Sequence, residues 1–95
     1  MAIFMHASLP GVTTAQYDAL NAELQALPGD TYAGCLTHVC VPSASGLEVF
    51  DLWESQQAMD DFFARMMPVA ERQNMTPSGE PPTVSEVHHH WMAGG

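Results

Sequence analysis

The sequence predicts an α+β fold in the order β-α-β-β-α-β, the ferredoxin-like arrangement. Three observations carry this. Four short segments rich in apolar and β-branched residues read as strands, at 2–9, 32–41, 47–53 and 83–92. Two longer segments between them carry apolar residues at helical spacing. Proline, glycine and serine punctuate the boundaries, as at Pro10-Gly11, Pro28-Gly29 and Pro42 to Gly46.

In the first strand, Ile3, Met5, Ala7 and Leu9 share one face and Phe4, His6 and Ser8 the other. Thr13 and Gln16 then have capping-box spacing, and Tyr17, Leu20, Leu24 and Leu27 form the stripe of a first helix. Pro28-Gly29-Asp30 ends it. Tyr32 to Val41 and Leu47 to Trp53 read as a hairpin. Ser55 is placed to cap a second helix, with Asp60 and Asp61 early in it and Met59, Phe62, Phe63 and Met66 as its buried stripe. Asp61 and Arg65, four apart, are spaced to pair. Pro68 should kink or end that helix near Met67. Asn74 to Pro82 reads as a polar loop, Thr83 to Met92 as the last strand, and Ala93-Gly94-Gly95 as a loose end.

The 95 residues have the length of one domain spanning 1–95. The chain carries 11 Asp and Glu against 2 Lys and Arg, a formal charge of −9. Both basic residues are arginines, Arg65 and Arg72, so there is no lysine for a Schiff base or a phosphate-binding loop. Such an acidic chain neutralises few phosphates and is repelled by anionic lipid, which argues against nucleic-acid and membrane partners. No apolar run reaches the ~20 residues of a membrane span, and no basic-then-apolar leader opens the sequence. Hydrophobic residues make up 46% and charged residues 14%. A chain of this size buries only about two-thirds of its unfolded surface, so part of the apolar supply is expected at a homodimer interface. Cys35 and Cys40 lie at an odd offset on one strand and should face opposite ways, which disfavours a disulfide and suits a reducing cytoplasm.

The run Leu47-Glu48-Val49-Phe50-Asp51-Leu52-Trp53-Glu54-Ser55, a strand ending in Trp-Glu-Ser and leading into a helix, resembles the dimeric α+β barrel superfamily. Within it the chain is similar to the antibiotic-biosynthesis-monooxygenase type. Leu9 to Thr13, Pro28-Gly29 and Gly34-Cys35-Leu36 add to the resemblance. It implies two sheets facing each other across a dimeric barrel, with a small ligand between each sheet and its own helices. Members include cofactor-free quinone-forming monooxygenases, polyketide cyclases, haem-degrading enzymes and isomerases, so the fold leaves the reaction open. The quinone-forming type places an Asn four residues before the Trp and a Tyr six after it. Here those positions are Val49 and Met59, and only Trp53 is retained. The cyclase-type His has no counterpart in Met66-Met67-Pro68-Val69, and the N-terminal proline of tautomerases is replaced by Ala2.

Asp51 is the first candidate for chemistry. It shares a face with Val49 and Trp53, and facing the helices it would be a carboxylate in an apolar cleft, a usable general base. The competing reading is a structural pair with a histidine. His88-His89-His90 is the second candidate. On a strand, His88 and His90 share one face and could act in proton transfer, or with His6 bind a divalent transition metal such as zinc, copper or iron. Surface or interface histidines are the plainer reading, and His6 falls on the face away from the helices. His38 reads as a structural histidine. Val49, Trp53, Met59, Phe63 and Met66 are expected to wall a pocket, although the same residues would also serve as plain core. The first expectation is a small homodimeric enzyme. It uses acid–base chemistry without a cofactor on a hydrophobic, aromatic or polyketide-like molecule, and oxygenation, cyclisation and isomerisation stay open. The alternative is a non-catalytic module that holds a ligand or metal through its histidines.

Overall fold

The computed structural model describes residues 1–73 and 81–91. The first seven residues of the loop expected at Asn74 to Pro82 lie outside the described residues, as do Met92 to Gly95. The elements are β1 (Ile3–Pro10), α1 (Thr14–Ala26), β2 (Cys35–Ser43), β3 (Gly46–Trp53), α2 (Gln56–Arg72) and β4 (Thr83–Glu86). They build one antiparallel sheet in the order β2-β3-β1-β4, with β3 and β1 central.

Alternation along β3 separates the two faces of the sheet. Leu47, Val49, Asp51 and Trp53 are buried, while Glu48, Phe50 and Leu52 are half-buried. The buried set packs with Ile3 and Met5 of β1 under Leu20, Leu24, Met59, Phe62, Val69 and Ala70 of the helices. Trp53 is fully enclosed and stacks obliquely on Phe62, with ring centroids 5.2 Å apart. Full burial of one such side chain contributes about 2–3 kcal/mol. The other face of the sheet has no helical cover. Phe4, Val39 and Val41 are exposed there, whereas Val84, opposite Met5, is exposed at the β4 edge of the helical face.

Local chemistry explains the element boundaries. α1 opens with the expected capping box, Gln16 N donating to Thr13 Oγ1 at 3.1 Å and Thr13 N to Gln16 Oε1 at 2.8 Å. α2 opens on Ser55, whose Oγ accepts from Ala58 N at 3.1 Å. The hairpin closes through the two-residue turn Ala44-Ser45, with Ser43 opposite Gly46. A Cβ on Gly46 would come within 2.2 Å of the Leu9 carbonyl oxygen, so only glycine fits that corner.

Four expectations are corrected. Pro68 does not end α2. It lies exposed inside the helix, and the following turn buries Val69 and Ala70 against the core. That packing outweighs the one backbone bond proline removes. Arg65 donates to the Pro28 carbonyl rather than pairing with Asp61, which instead accepts from Gln57 Nε2 at 2.8 Å. β4 stops at Glu86, opposite Ile3, the first residue of β1. The bond from Val87 N to Ala2 O, 2.9 Å, ends that pairing, so His88, His89 and His90 lie beyond the strand.

The last correction concerns β2. A bulge at Leu36 inserts one residue between the pairs Cys35–Trp53 and Thr37–Leu52. The extra residue cancels the odd offset between the cysteines. Cys35, His38 and Cys40 therefore stand opposite Trp53, Asp51 and Val49, all on the helical face. Both cysteines are free thiols. Among the described residues no helix is long and apolar enough to cross a membrane.

Candidate functional site

The hairpin register, set by the Ala44-Ser45 turn, puts His38 directly across from Asp51. Asp51 is 2% exposed, and a lone carboxylate at that depth would carry a large desolvation cost. Its partners offset that cost. Oδ2 accepts from Trp53 Nε1 at 3.3 Å, and Oδ1 accepts from His38 Nδ1. A carboxylate on Nδ1 holds the proton there and leaves Nε2 as an acceptor. Tyr17 of α1 fills that position, with its hydroxyl donating to Nε2. The Tyr17 and His38 rings are within 9° of parallel, with centroids 5.9 Å apart. Burial pushes the Tyr17 hydroxyl up to about 12, helped by Cys40, Tyr32, Asp51 and Asp18, so it keeps its proton at neutral pH. Trp53, Asp51, His38 and Tyr17 thus form one unbroken hydrogen-bonded chain from the core to α1.

The chain ends at a cavity of about 380 Å³ between the sheet and the helices. Tyr17, His38 and Asp51 line it, together with apolar side chains that include Met5, Leu20, Val49, Phe63 and Met66. Asn21 and Tyr32 also border it, and the Tyr32 hydroxyl donates to Asn21 Oδ1. In an apolar cavity, proton transfer along such a chain is not short-circuited by bulk water, and each polar contact is stronger than in solvent.

The residues singled out from the sequence fall in three places. Asp51, Val49, Phe63 and Met66 meet at the cavity. Trp53 and Met59 are buried in the core and are not among its lining residues, although Trp53 reaches the site through Asp51. The histidines lie elsewhere. His6 is on the open face, bonded through Nε2 to Glu48 Oε1 at 2.8 Å and stacked on Phe50 at 4.6 Å between centroids. That bond, with a second from Ser8, holds the Glu48 carboxyl below its ordinary value. His89 and His90 border a shallow groove on the open face beside Phe50 and Trp91. Among the described residues no three His, Cys, Asp or Glu side chains form a metal-ligating group, so His6, His88 and His90 are not assembled as one.

Sequence reading missed Tyr17, His38, Asn21 and Tyr32. For His38 a signal was present. Counting five residues back along β2 from Ser43, and five forward along β3 from Gly46, leads to the His38–Asp51 pair. This count works only once the turn is confined to Ala44-Ser45. Tyr17 occupies the first position of the apolar stripe of α1, where a phenol reads as core.

No family model matches the chain, and no curated protein does. Solved structures do. A candidate antibiotic biosynthesis monooxygenase from Chloroflexus aurantiacus J-10-fl superposes with a TM-score of 0.62 at 14% identity, covering 96% of this chain and 98% of that one. Another from Deinococcus radiodurans gives 0.57 at 16% identity over 100% of both chains. With its β-α-β-β-α-β order, its antiparallel sheet and these two likenesses, the chain has the ferredoxin-like fold of the antibiotic-biosynthesis-monooxygenase-like proteins.

Proposed function

We propose that the protein is a small homodimeric enzyme that moves a proton on a hydrophobic, aromatic or polyketide-like molecule, using its own side chains and no cofactor. The carrying observation is the hydrogen-bonded chain Asp51–His38–Tyr17 opening on an apolar cavity. A substrate carbon or hydroxyl gives its proton to the Tyr17 oxygen while the Tyr17 proton passes to His38 Nε2. The substrate is left as an enolate or phenolate, and the imidazolium is stabilised by the Asp51 carboxylate on Nδ1. Return of the proton to a different substrate atom completes an isomerisation; a ring closes when the enolate carbon attacks a carbonyl carbon of the same molecule and the resulting alkoxide takes the proton back. Delivery of the anion to dioxygen would begin an oxygenation. All three outcomes share the first step.

The uncovered sheet face supports the homodimer. Phe4, Val39 and Val41 on that face are each at least 40% exposed, a patch that a second copy would bury. A cytoplasmic setting agrees with the two free thiols.

The first step is tested without knowing the natural substrate. Exchange of the α-protons of α-tetralone and of a panel of bicyclic ketones in D2O is followed by proton NMR. The protein is expected to accelerate exchange above buffer, and His38→Gln to abolish the acceleration. Exchange at the buffer rate across the panel would overturn the reading.

A further inference from the structure

The cavity has a second polar point. The Tyr32 hydroxyl donates to Asn21 Oδ1, and burial raises that hydroxyl above the ordinary phenol range, so it stays protonated and remains the donor. The amide is thereby oriented by its oxygen. Nδ2 donates to no side chain or carbonyl among the described residues. No described side-chain nitrogen or oxygen is both buried and unpartnered, so Nδ2 is accessible. Asn21 follows Tyr17 by four residues on α1. The two side chains stand on one face a turn apart, about 6 Å along the axis. The oxygens of a 1,4-disubstituted aromatic ring have a similar separation.

Charge sets a second limit. Neither arginine is available to the cavity: Arg65 is held on the Pro28 carbonyl and Arg72 on Glu23. Asp51 is the one carboxylate among the described lining residues, and no Lys or Arg is among them. An anionic ligand would meet a like charge in an apolar space with no cation to offset it.

We propose that Asn21, positioned by Tyr32, determines specificity in this cavity. It reads a second oxygen on a neutral, flat ring ligand whose first oxygen meets Tyr17, and anionic ligands are refused. This rests on the reading that the cavity takes an aromatic molecule at the Tyr17–His38 end.

Calorimetric titration of the wild type, Asn21→Leu and Asn21→Asp tests it, with 1-naphthol, 4-methoxy-1-naphthol and 1-naphthoate as probes. Leu removes the amide at similar volume. Asp keeps an acceptor for Tyr32 and removes the donor, so it serves if the Leu variant folds poorly. In the wild type, 4-methoxy-1-naphthol should bind about tenfold tighter than 1-naphthol, the effect of one added hydrogen bond in an apolar site. The ratio should fall to within about twofold in both variants, and 1-naphthoate should bind the wild type at least about tenfold more weakly than 1-naphthol. Three results would overturn the assignment: a wild-type ratio near one, a ratio that survives both substitutions, or naphthoate binding as tightly as naphthol. In each of these the naphthols still bind, so the cavity reading stands. If no probe binds, the cavity reading fails and this assignment fails with it.

Discussion

Replacing Asp51 by Asn alters the site at its centre while barely changing volume. The carboxylate accepts from two donors, Trp53 Nε1 and His38 Nδ1. An amide has one oxygen and one NH2, so it can satisfy only one of them and must turn its own donors toward the other. At a position 2% exposed, the group left unpaired costs about 1–3 kcal/mol. For a domain near 100 residues, a loss of 2 kcal/mol lowers Tm by about 8–16 °C. The chemical effect should be larger than the thermal one. Without a carboxylate on Nδ1, His38 no longer keeps its proton there, and an imidazolium loses its counter-charge. Loss of a positioned acid–base group typically costs about 10²–10⁴ in rate. Long-range proton–nitrogen NMR reports the tautomer of His38 directly, thermal unfolding gives the stability, and α-tetralone exchange gives the rate. The wild type should show the Nδ1–H tautomer, and the variant a mixed tautomer with exchange near the buffer rate. An Asp51→Asn variant with unchanged melting, tautomer and exchange would refute the role assigned to Asp51.

Three further outcomes are expected. Burial, with the Asp51 charge, pushes the Cys35 thiol up from 9.0 to about 11, so its alkylation by iodoacetamide at pH 8 should be about 100-fold slower than in urea-unfolded chain; equal rates would contradict that burial. The Glu48 carboxyl is lowered by its hydrogen bonds to His6 and Ser8, so its contribution to stability is present above its unfolded value of 4.5 and is lost as pH falls through the folded value. Glu48→Gln should flatten the acid limb of a denaturation-against-pH curve in that window, and an unaltered limb would count against the pairing. Phe50→Glu on the uncovered face should convert a dimer to a monomer in sedimentation without disturbing α-tetralone exchange per folded chain, whereas a wild type that sediments as a monomer would remove the proposed interface.

The element order was legible because each element announces itself locally: the Thr13–Gln16 capping box, the Tyr17 to Leu27 stripe, the Ser55 cap and the alternation through β3 are all short-range patterns. The misread features depend on tertiary partners. Pro68 stays inside α2 because Val69 and Ala70 have a core to enter, and the extent of β4 is set by its pairing with β1, which ends at Ile3 opposite Glu86. The site followed the same division. Asp51 was visible from strand parity alone. His38 was hidden because its partner depends on the hairpin register, and Pro42 to Gly46 reads as a longer turn than the two residues that close it. The Leu36 bulge hid Cys35 in the same way, and Tyr17 and Asn21 could be placed over the sheet only once α1 was docked.

The central claim is that an aromatic molecule sits in the cavity against the Tyr17–His38 end of the hydrogen-bonded chain. Titrating isotopically labelled protein with 1-naphthol while following the His38 ring nitrogens and the Met66 and Leu20 methyls tests it most directly. The account predicts saturable shifts at those groups, with His38 Nε2 moving most among the histidine nitrogens and the open-face residues Val39 and Trp91 unaffected. Saturable shifts confined to Val39 and Trp91, or none anywhere, would contradict it.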